Sequence, residues 1–317
     1  MDSSKLYIGN LKNLSYKNLK PKNQKYSPGE KYLLYRTDNP SDRDWHISVY
    51  VKEKNGKTSV TLYGSIRKWF YGKYTYRNLT KEDFVECIDL ISERLGVSEN
   101  EMWGARTMQI EISLSLILKP DMAYFLNTFV DYKGFDVVPY GHNYRAFVGS
   151  SKVLKFYNAG RKIGKGLGFS ESKIERIESY FLRYRVEVKI DDLLHVERRM
   201  GEILITPGTI LKNWNEIYSY LRMYIADIEC YGIPSSKRIQ LKEGSRRDYE
   251  NYLIEAGVMY NTIQKCFEDI RLLKSGKPRF EAKKQLKRTL ENMGSHTSDK
   301  DRFLECFDRK CAQICPP

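Results

Sequence analysis

One short segment with strict alternation constrains the fold more than any other part of the chain. In residues 182–190, apolar side chains alternate with the charged side chains of Arg183, Arg185, Glu187 and Lys189. Neighbouring side chains of a β-strand point to opposite faces, so the segment predicts a strand with one apolar and one charged face. A carboxylate among cations on such a face can hold a divalent metal beside a phosphate. The alternative is the solvated outer face of an antiparallel sheet.

Patterns earlier in the chain predict further strands and helices. Asn55-Gly56 is a favoured hairpin turn between two alternating segments, over 47–51 and 59–64. Thr80 and Asp83 form a capping box before an amphipathic helix that ends at Gly96. The other predicted elements are a strand over 108–118, a helix over 120–130, strands over 144–148 and 153–157, and a short helix before residue 182.

The order of these elements predicts an α+β fold. We expect a mostly antiparallel central sheet with helices on one face, so that the other face stays available for a substrate. In the strand over 108–118, the spacing places Met108 and Ile110 on the apolar face and Glu111 on the polar face. In the strand over 153–157, Lys155 and Tyr157 share the polar face.

We divide the chain into three regions. Residues 1–44 are a polar amino-terminal extension, 45–208 form the sheet domain, and 209–317 form a helical carboxyl-terminal domain. The basic helical segment over 283–288 could bind a phosphate backbone or be solvated.

The charge of the chain favours a polyanionic partner. Lys and Arg outnumber Asp and Glu by 54 to 40, which gives a formal net charge of +14. Nucleic acid fits better than a membrane, because the charges are spread along the chain and no apolar run approaches the roughly 20 residues that span a bilayer. The 24 tyrosines suit base stacking. Without a signal peptide or a Cys-x-x-Cys pair, we expect a cytoplasmic protein with reduced cysteines.

Four segments occur in the order typical of replication initiators. They are residues 62–72, 110–112, 153–157 and 184–189. Through these scattered motifs, over roughly residues 45–224, the chain resembles the gene II replication protein of filamentous phages and its plasmid relatives. These are rolling-circle initiators related to the His-hydrophobic-His endonucleases. The chain departs from the family in having no His-x-His pair and in carrying Gln109 where relatives carry an arginine.

The resemblance implies strand transfer at phosphorus. Tyr157 would be the nucleophile, with Lys155 as the nearby cation, and Glu111 and Glu187 would hold Mg²⁺ or Mn²⁺ against the scissile phosphate. Attack on single-stranded origin DNA would leave a 5′-phosphotyrosyl link and a free 3′-hydroxyl, and the same site could later rejoin the strand. For a phage protein the compartment would be the host cytoplasm, and the carboxyl-terminal helices could bind duplex DNA, recruit a host helicase or polymerase, or only brace the sheet.

The remaining site residues are expected to contact DNA or to offer other nucleophiles. The DNA-binding candidates are Arg183, Arg185, Lys189, Arg161, Lys162, Arg67 and Lys68. The alternative nucleophiles are Tyr180 and Tyr184, whose spacing on a helix would allow two alternating tyrosines. Two other functions stay open at this point: a sequence-specific DNA-binding protein without chemistry, such as a repressor or packaging factor, and a structural viral protein that condenses a genome.

Overall fold

The computed structural model describes most of the chain. The described residues are 2–11, 13–27, 30–38, 45–139, 143–232, 249–250, 252–254, 257–258, 263–274, 276–293 and 297–315. Their largest element is a ten-stranded antiparallel sheet. Two further strands, β7 and β12, lie outside this sheet. In chain order all of these strands are β1 (Ser3–Leu11), β2 (Lys20–Ser27), β3 (Glu30–Asp38), β4 (His46–Lys54), β5 (Lys57–Ser65), β6 (Arg106–Leu118), β7 (Phe129–Asp131), β8 (Asp136–Pro139), β9 (Tyr144–Val148), β10 (Lys152–Asn158), β11 (Leu182–Ile190) and β12 (Glu229–Cys230).

The spatial order of the sheet differs from its order in sequence. It runs β2-β3-β4-β5-β1-β6-β11-β10-β9-β8, and β7 pairs with β12 in a separate two-stranded sheet. The amino-terminal strand β1 therefore lies near the middle, paired with β5 on one side and β6 on the other. Strands that are distant in sequence become neighbours at β1, β6 and β11.

Helices follow the strands and continue through the last third of the described chain. They are α1 (Ile66–Tyr71), α2 (Lys81–Leu95), α3 (Glu99–Trp103), α4 (Ala159–Gly166), α5 (Glu171–Glu178), α6 (Leu194–Met200), α7 (Pro207–Lys212), α8 (Trp214–Ala226), α9 (Ile263–Leu272), α10 (Lys277–Asn292) and α11 (Asp299–Ile314). Short 3₁₀ turns cover Pro120–Met122 and Phe125–Asn127. No helix of the described residues is long and apolar enough to cross a membrane.

Local signals account for several of these elements. As predicted, the capping box of Thr80 and Asp83 begins α2 and Gly96 ends it. Gly96 adopts the left-handed conformation. Asn55 and Gly56 both have positive φ in the turn between β4 and β5, which confirms the hairpin. Strand β11 spans 182–190, the whole of the alternating segment.

The main core lies between one face of the sheet and the helices. Ile112 of β6, Val186 of β11 and Phe156 of β10 are completely buried on this face. They are covered by a layer of helices that includes α2, α8 and α11, through residues such as Phe84, Trp214 and Phe303, and the buried residues form one continuous cluster. The predicted α+β architecture, with a mostly antiparallel sheet and a helical carboxyl-terminal region, is confirmed.

The division into three regions does not match this core. Strands β1, β2 and β3 lie within 1–44 and belong to the sheet, so this segment is not an extension outside it. Beyond residue 208, α8 and α11 belong to the main core, whereas α9 and α10 surround a second cluster that includes Val130, Phe267 and Leu290. The helical region is therefore divided between two cores.

Two local predictions are wrong. The helix over 120–130 is replaced by the two 3₁₀ turns and β7, since Phe125 and Phe129 pack into the aromatic core as part of an irregular connection. Met108 does not share the face of Ile110. Lys5 of β1 lies opposite Gln109 of β6, but the next residue, Leu6, lies opposite Thr107. Met108 is therefore the extra residue of a β-bulge, and its side chain is exposed.

Candidate functional site

The polar faces of three strands form one continuous surface. In the antiparallel pairing of β10 with β11, Tyr157 lies opposite Arg185 and Lys155 lies opposite Glu187. On the other side of β11, Lys189 lies opposite Glu111 of β6. Residues directly opposite in a ladder project to the same face, so the predicted reactive groups on three separate strands are brought together.

Tyr157 is directly connected to Glu187. Its hydroxyl donates a hydrogen bond of 2.5 Å to Glu187 Oε1. Burial, together with the negative charge of Glu187, raises the pKa of the Tyr157 phenol well above its ordinary value. The hydroxyl is therefore protonated at neutral pH in the metal-free protein, and Glu187 is its hydrogen-bond acceptor.

Asp2 lies under this surface, and the sequence alone offered no signal for it. Its carboxylate is 2% exposed and accepts hydrogen bonds from Ser65 Oγ, Arg67 Nε and Arg185 Nη2. Burial by itself would raise the pKa of the Asp2 carboxyl, but Arg185 and Arg67 outweigh it and hold that pKa far below its usual range. Asp2 is a buried, permanently charged anchor for the two guanidinium groups.

Arg185 joins Asp2 to Glu187. Its Nη2 lies 2.8 Å from Asp2 Oδ2, and its Nε donates to Glu187 Oε1 at 2.9 Å. Its remaining donors bind Ser113 Oγ and Ser115 Oγ of β6. Burial alone would lower the pKa of the Arg185 guanidinium, but Asp2 and Glu187 raise it above its ordinary value. The side chain thus fixes the orientation of Glu187, and the solvated outer face is excluded for this part of β11.

Glu111 completes a group of three carboxylates. One oxygen each from Asp2, Glu111 and Glu187 lie within 4.8 Å of one another. Burial, followed by the charges of Glu187 and Asp2, raises the pKa of Glu111 to about 8. Among the described residues, Glu111 has no side-chain hydrogen bond or ion pair of its own. Its oxygens are available to an added ligand, whereas those of Asp2 are already held by protein donors.

A cavity of about 520 Å³ opens above Tyr157 and Glu187. Lys155 from β10 lines it, as do Arg161, Lys162 and Lys165 from α4. Lys162 Nζ lies 4.7 Å from the centroid of the Tyr157 ring. Helix α4 begins at the end of β10, where Asn158 caps it by accepting from the Arg161 amide, so the fold places these cations beside the tyrosine.

The predicted DNA-binding residues divide into two groups. Arg67 and Arg185 are both 2% exposed and hold Asp2, so the structure does not place them where DNA could reach them. Lys68, whose pKa is lowered by burial, lies against the Trp45 ring. Lys68 and the remaining four are at least partly exposed; these four are Lys162, Arg161 with ion pairs to Glu171 and Glu178, Lys189 with an ion pair to Asp191, and Arg183.

The alternative tyrosine pair does not form. Tyr184 is a core residue of β11 whose ring packs at 5.0 Å against Phe125, on the face opposite Glu187. Tyr180 is 72% exposed in the turn after α5. The two residues do not share a helix, because the chain leaves α5 at Glu178 and is extended from Leu182 onward. The arrangement therefore leaves Tyr157 as the tyrosine at the carboxylates.

No known protein family, curated protein or solved structure matches the chain. The resemblance to rolling-circle initiators therefore stays a prediction from short motifs.

Proposed function

We propose that this protein is a metal-dependent nicking and joining enzyme that cleaves one strand of DNA through Tyr157. The observation that carries the proposal is the hydrogen bond from the Tyr157 hydroxyl to Glu187, within a group of three carboxylates beneath a basic cavity. Transesterification at phosphorus requires a nucleophile, a proton acceptor and positive charge near the phosphate. Tyr157, Glu187 and the lysines of the cavity supply these three functions.

The donor set fits a divalent cation. Carboxylate oxygens are the ligands that Mg²⁺ and Mn²⁺ prefer, and those of Glu111 and Glu187 lie within 4.8 Å of each other on the same face of two adjacent strands. Asp2 serves as the anchor for Arg185. When bound, the metal ion supplies positive charge that polarises the phosphate and offsets the carboxylates that raise the pKa of Tyr157.

The residues of this chain then have defined roles in the cleavage step. Glu187 accepts the phenolic proton, and the Tyr157 oxygen forms a bond to phosphorus. The bond from phosphorus to the 3′ oxygen breaks, and that oxygen keeps the electron pair and takes a proton from solvent. Lys155 and Lys162 bind the non-bridging oxygens. Because the phosphotyrosyl bond replaces the phosphodiester, attack by the 3′-hydroxyl can reverse the step and rejoin the strand.

A covalent adduct tests the proposal. The full-length protein is incubated with Mn²⁺ and labelled single-stranded DNA that carries the origin of its own replicon, and the products are separated in denaturing detergent. We expect an adduct that mass spectrometry maps to Tyr157. Tyr157→Phe should abolish it. Tyr144→Phe is the matched control, since Tyr144 lines the same cavity opposite Tyr157 and its variant should still form the adduct.

Two results would contradict the proposal. One is the absence of any adduct with the wild-type protein in Mn²⁺ or Mg²⁺. The other is an adduct that persists in Tyr157→Phe.

A Glu111→Gln variant separates a role of Glu111 in metal binding from a role in the fold. The Mn²⁺ affinity of this variant, measured by calorimetry without DNA, should fall at least about tenfold while the fold is retained.

A DNA-binding protein without chemistry is the second candidate. The ion pairs of Arg185 with both Asp2 and Glu187 favour it, because such a network also occurs where carboxylates only stabilise a fold. This candidate predicts origin binding that is the same in Tyr157→Phe and wild type, with no covalent product and no Mn²⁺ binding at Glu111.

A further inference from the structure

A second basic cavity lies where β6 ends and β11 begins, separate from the cavity at Tyr157. It has a volume of about 570 Å³ and is bounded by the segment around Tyr76, the turn at Tyr180 and one face of helix α11. We call it the strand-end groove. The cleavage chemistry proposed above uses none of its side chains.

Helix α11 has two distinct faces. Phe303 and Phe307 are buried in the main core, whereas Arg302, Arg309 and Lys310 line the groove. The spacing of these three cations, i, i+7 and i+8, places them along one side of a helix. The helix therefore braces the sheet and also presents positive charge beside it.

The groove carries a clear excess of positive charge. Six cationic side chains line it against one acidic side chain, Glu305; the cations are Arg77, Lys119, Arg183, Arg302, Arg309 and Lys310. Arg302 is paired with Asp121 at 2.6 Å, and the other five form no ion pair with a carboxylate among the described residues. A polyanion complements such a surface.

Aromatic rings accompany these charges. Tyr180 exposes 72% of its surface, and the Arg183 guanidinium lies 4.4 Å from the centroid of the Tyr76 ring and 5.0 Å from that of Phe181. Exposed rings beside cations stack unpaired bases, whereas a duplex keeps the faces of its bases stacked inside. The combination favours a single strand over a double helix.

The groove borders the carboxylate site at β6. Ser115 lines the groove and also accepts a hydrogen bond of 2.6 Å from Arg185. Arg183 lies on the same face of β11 as Arg185 and Glu187. We infer that the strand-end groove binds the single-stranded nucleic acid that flanks the scissile phosphate, with phosphates on α11 and a base on Tyr180. This inference rests on the proposed function for its position along the substrate.

Binding without cleavage tests the inference. Fluorescence anisotropy is measured with the full-length protein in EDTA on labelled oligo-dT of about 20 nucleotides, over a range of salt concentrations. We expect the double variant Arg309→Glu/Lys310→Glu to bind at least about tenfold more weakly, with the slope of log affinity against log salt reduced by about 1.4. Tyr180→Ala should weaken binding on the order of tenfold with an unchanged slope.

The matched control has the same charge change elsewhere. Lys57→Glu/Arg198→Glu alters two exposed cations, one at the start of β5 and one on α6, that line neither cavity, and should bind within about twofold of wild type. Circular dichroism checks that each variant is folded. Equal losses in the groove variant and this control would overturn the inference, since binding would then follow net charge. Tighter, groove-dependent binding of a duplex of the same length would overturn the single-strand assignment.

The two proposals fail in different ways. If the groove variants lose oligo-dT binding while the wild-type protein forms no adduct, the cleavage proposal fails and the groove remains a binding site. If the adduct forms on Tyr157 while the groove variants bind oligo-dT like wild type, the groove inference alone is wrong.

Discussion

Replacing Glu111 by Gln should stabilise the metal-free protein, and by more as the pH rises. The pKa of Glu111 is 4.5 in an ordinary environment and about 8 in the folded protein, because burial and the charges of Glu187 and Asp2 oppose its ionisation. An acid whose folded pKa is raised favours folding below its unfolded pKa, and this contribution is lost as the pH rises towards the folded pKa. Above pH 8, wild-type Glu111 is therefore a destabilising charge.

The magnitude follows from the two pKa values. At about 1.4 kcal/mol per pKa unit, the difference between 4.5 and about 8 gives an upper limit of about 5 kcal/mol. Glu111 is partly exposed, so screening by solvent reduces the effect, and we expect about 2 kcal/mol at pH 8.5. At pH 5 the same relation leaves less than about 1 kcal/mol.

Urea unfolding in EDTA, followed by the fluorescence of the buried Trp69 and Trp214, measures this difference at pH 5 and pH 8.5. Glu86→Gln, an exposed acid on α2, is the control and should show a small difference that does not change with pH. If Glu111→Gln is no more stable than wild type at pH 8.5, or if its advantage is equal at both pH values, the electrostatic description of the site is wrong.

Three further predictions concern the framework that holds the site. Arg185→Leu leaves Asp2 buried without its main partner and should lower the free energy of unfolding by about 3–5 kcal/mol at pH 7 in a urea titration; a loss below about 1 kcal/mol would contradict the role of Asp2 as an anchor. Phe303→Ala removes a completely buried ring and should lower the free energy of unfolding by about 3–5 kcal/mol in the same titration, whereas a helix α11 that unfolds separately from the sheet would show two transitions. Gly96→Ala should lower the thermal midpoint measured by circular dichroism, because φ is +62° and an added Cβ would lie 2.8 Å from Ser15 Cβ; an unchanged midpoint would show that the chain adjusts there without strain.

The position of Glu111 is informative if the pH prediction holds. Carboxylates whose ionisation opposes folding are concentrated in functional sites. The same argument does not extend to Asp2, whose pKa is lowered and whose charge is compensated by Arg185 and Arg67.

Local patterns in the sequence predicted local structure well. Alternation identified β11 and the polar face of β10, and the capping box and hairpin turn identified α2 and the connection of β4 to β5. These signals succeed because each depends on residues a few positions apart. They failed at 120–130, where apolar residues fill the core through two 3₁₀ turns and a short strand.

The sequence by itself determined which side chains share a strand face, because the two-residue period of a β-strand is a local property. It therefore placed Lys155 with Tyr157, and Arg185 with Glu187, on common faces. Only the tertiary structure decided that these faces and that of Glu111 are one surface, since this depends on strand pairing across long stretches of chain. It also decided that Asp2 lies beneath them, bound to a residue 183 positions away, which no local pattern could indicate.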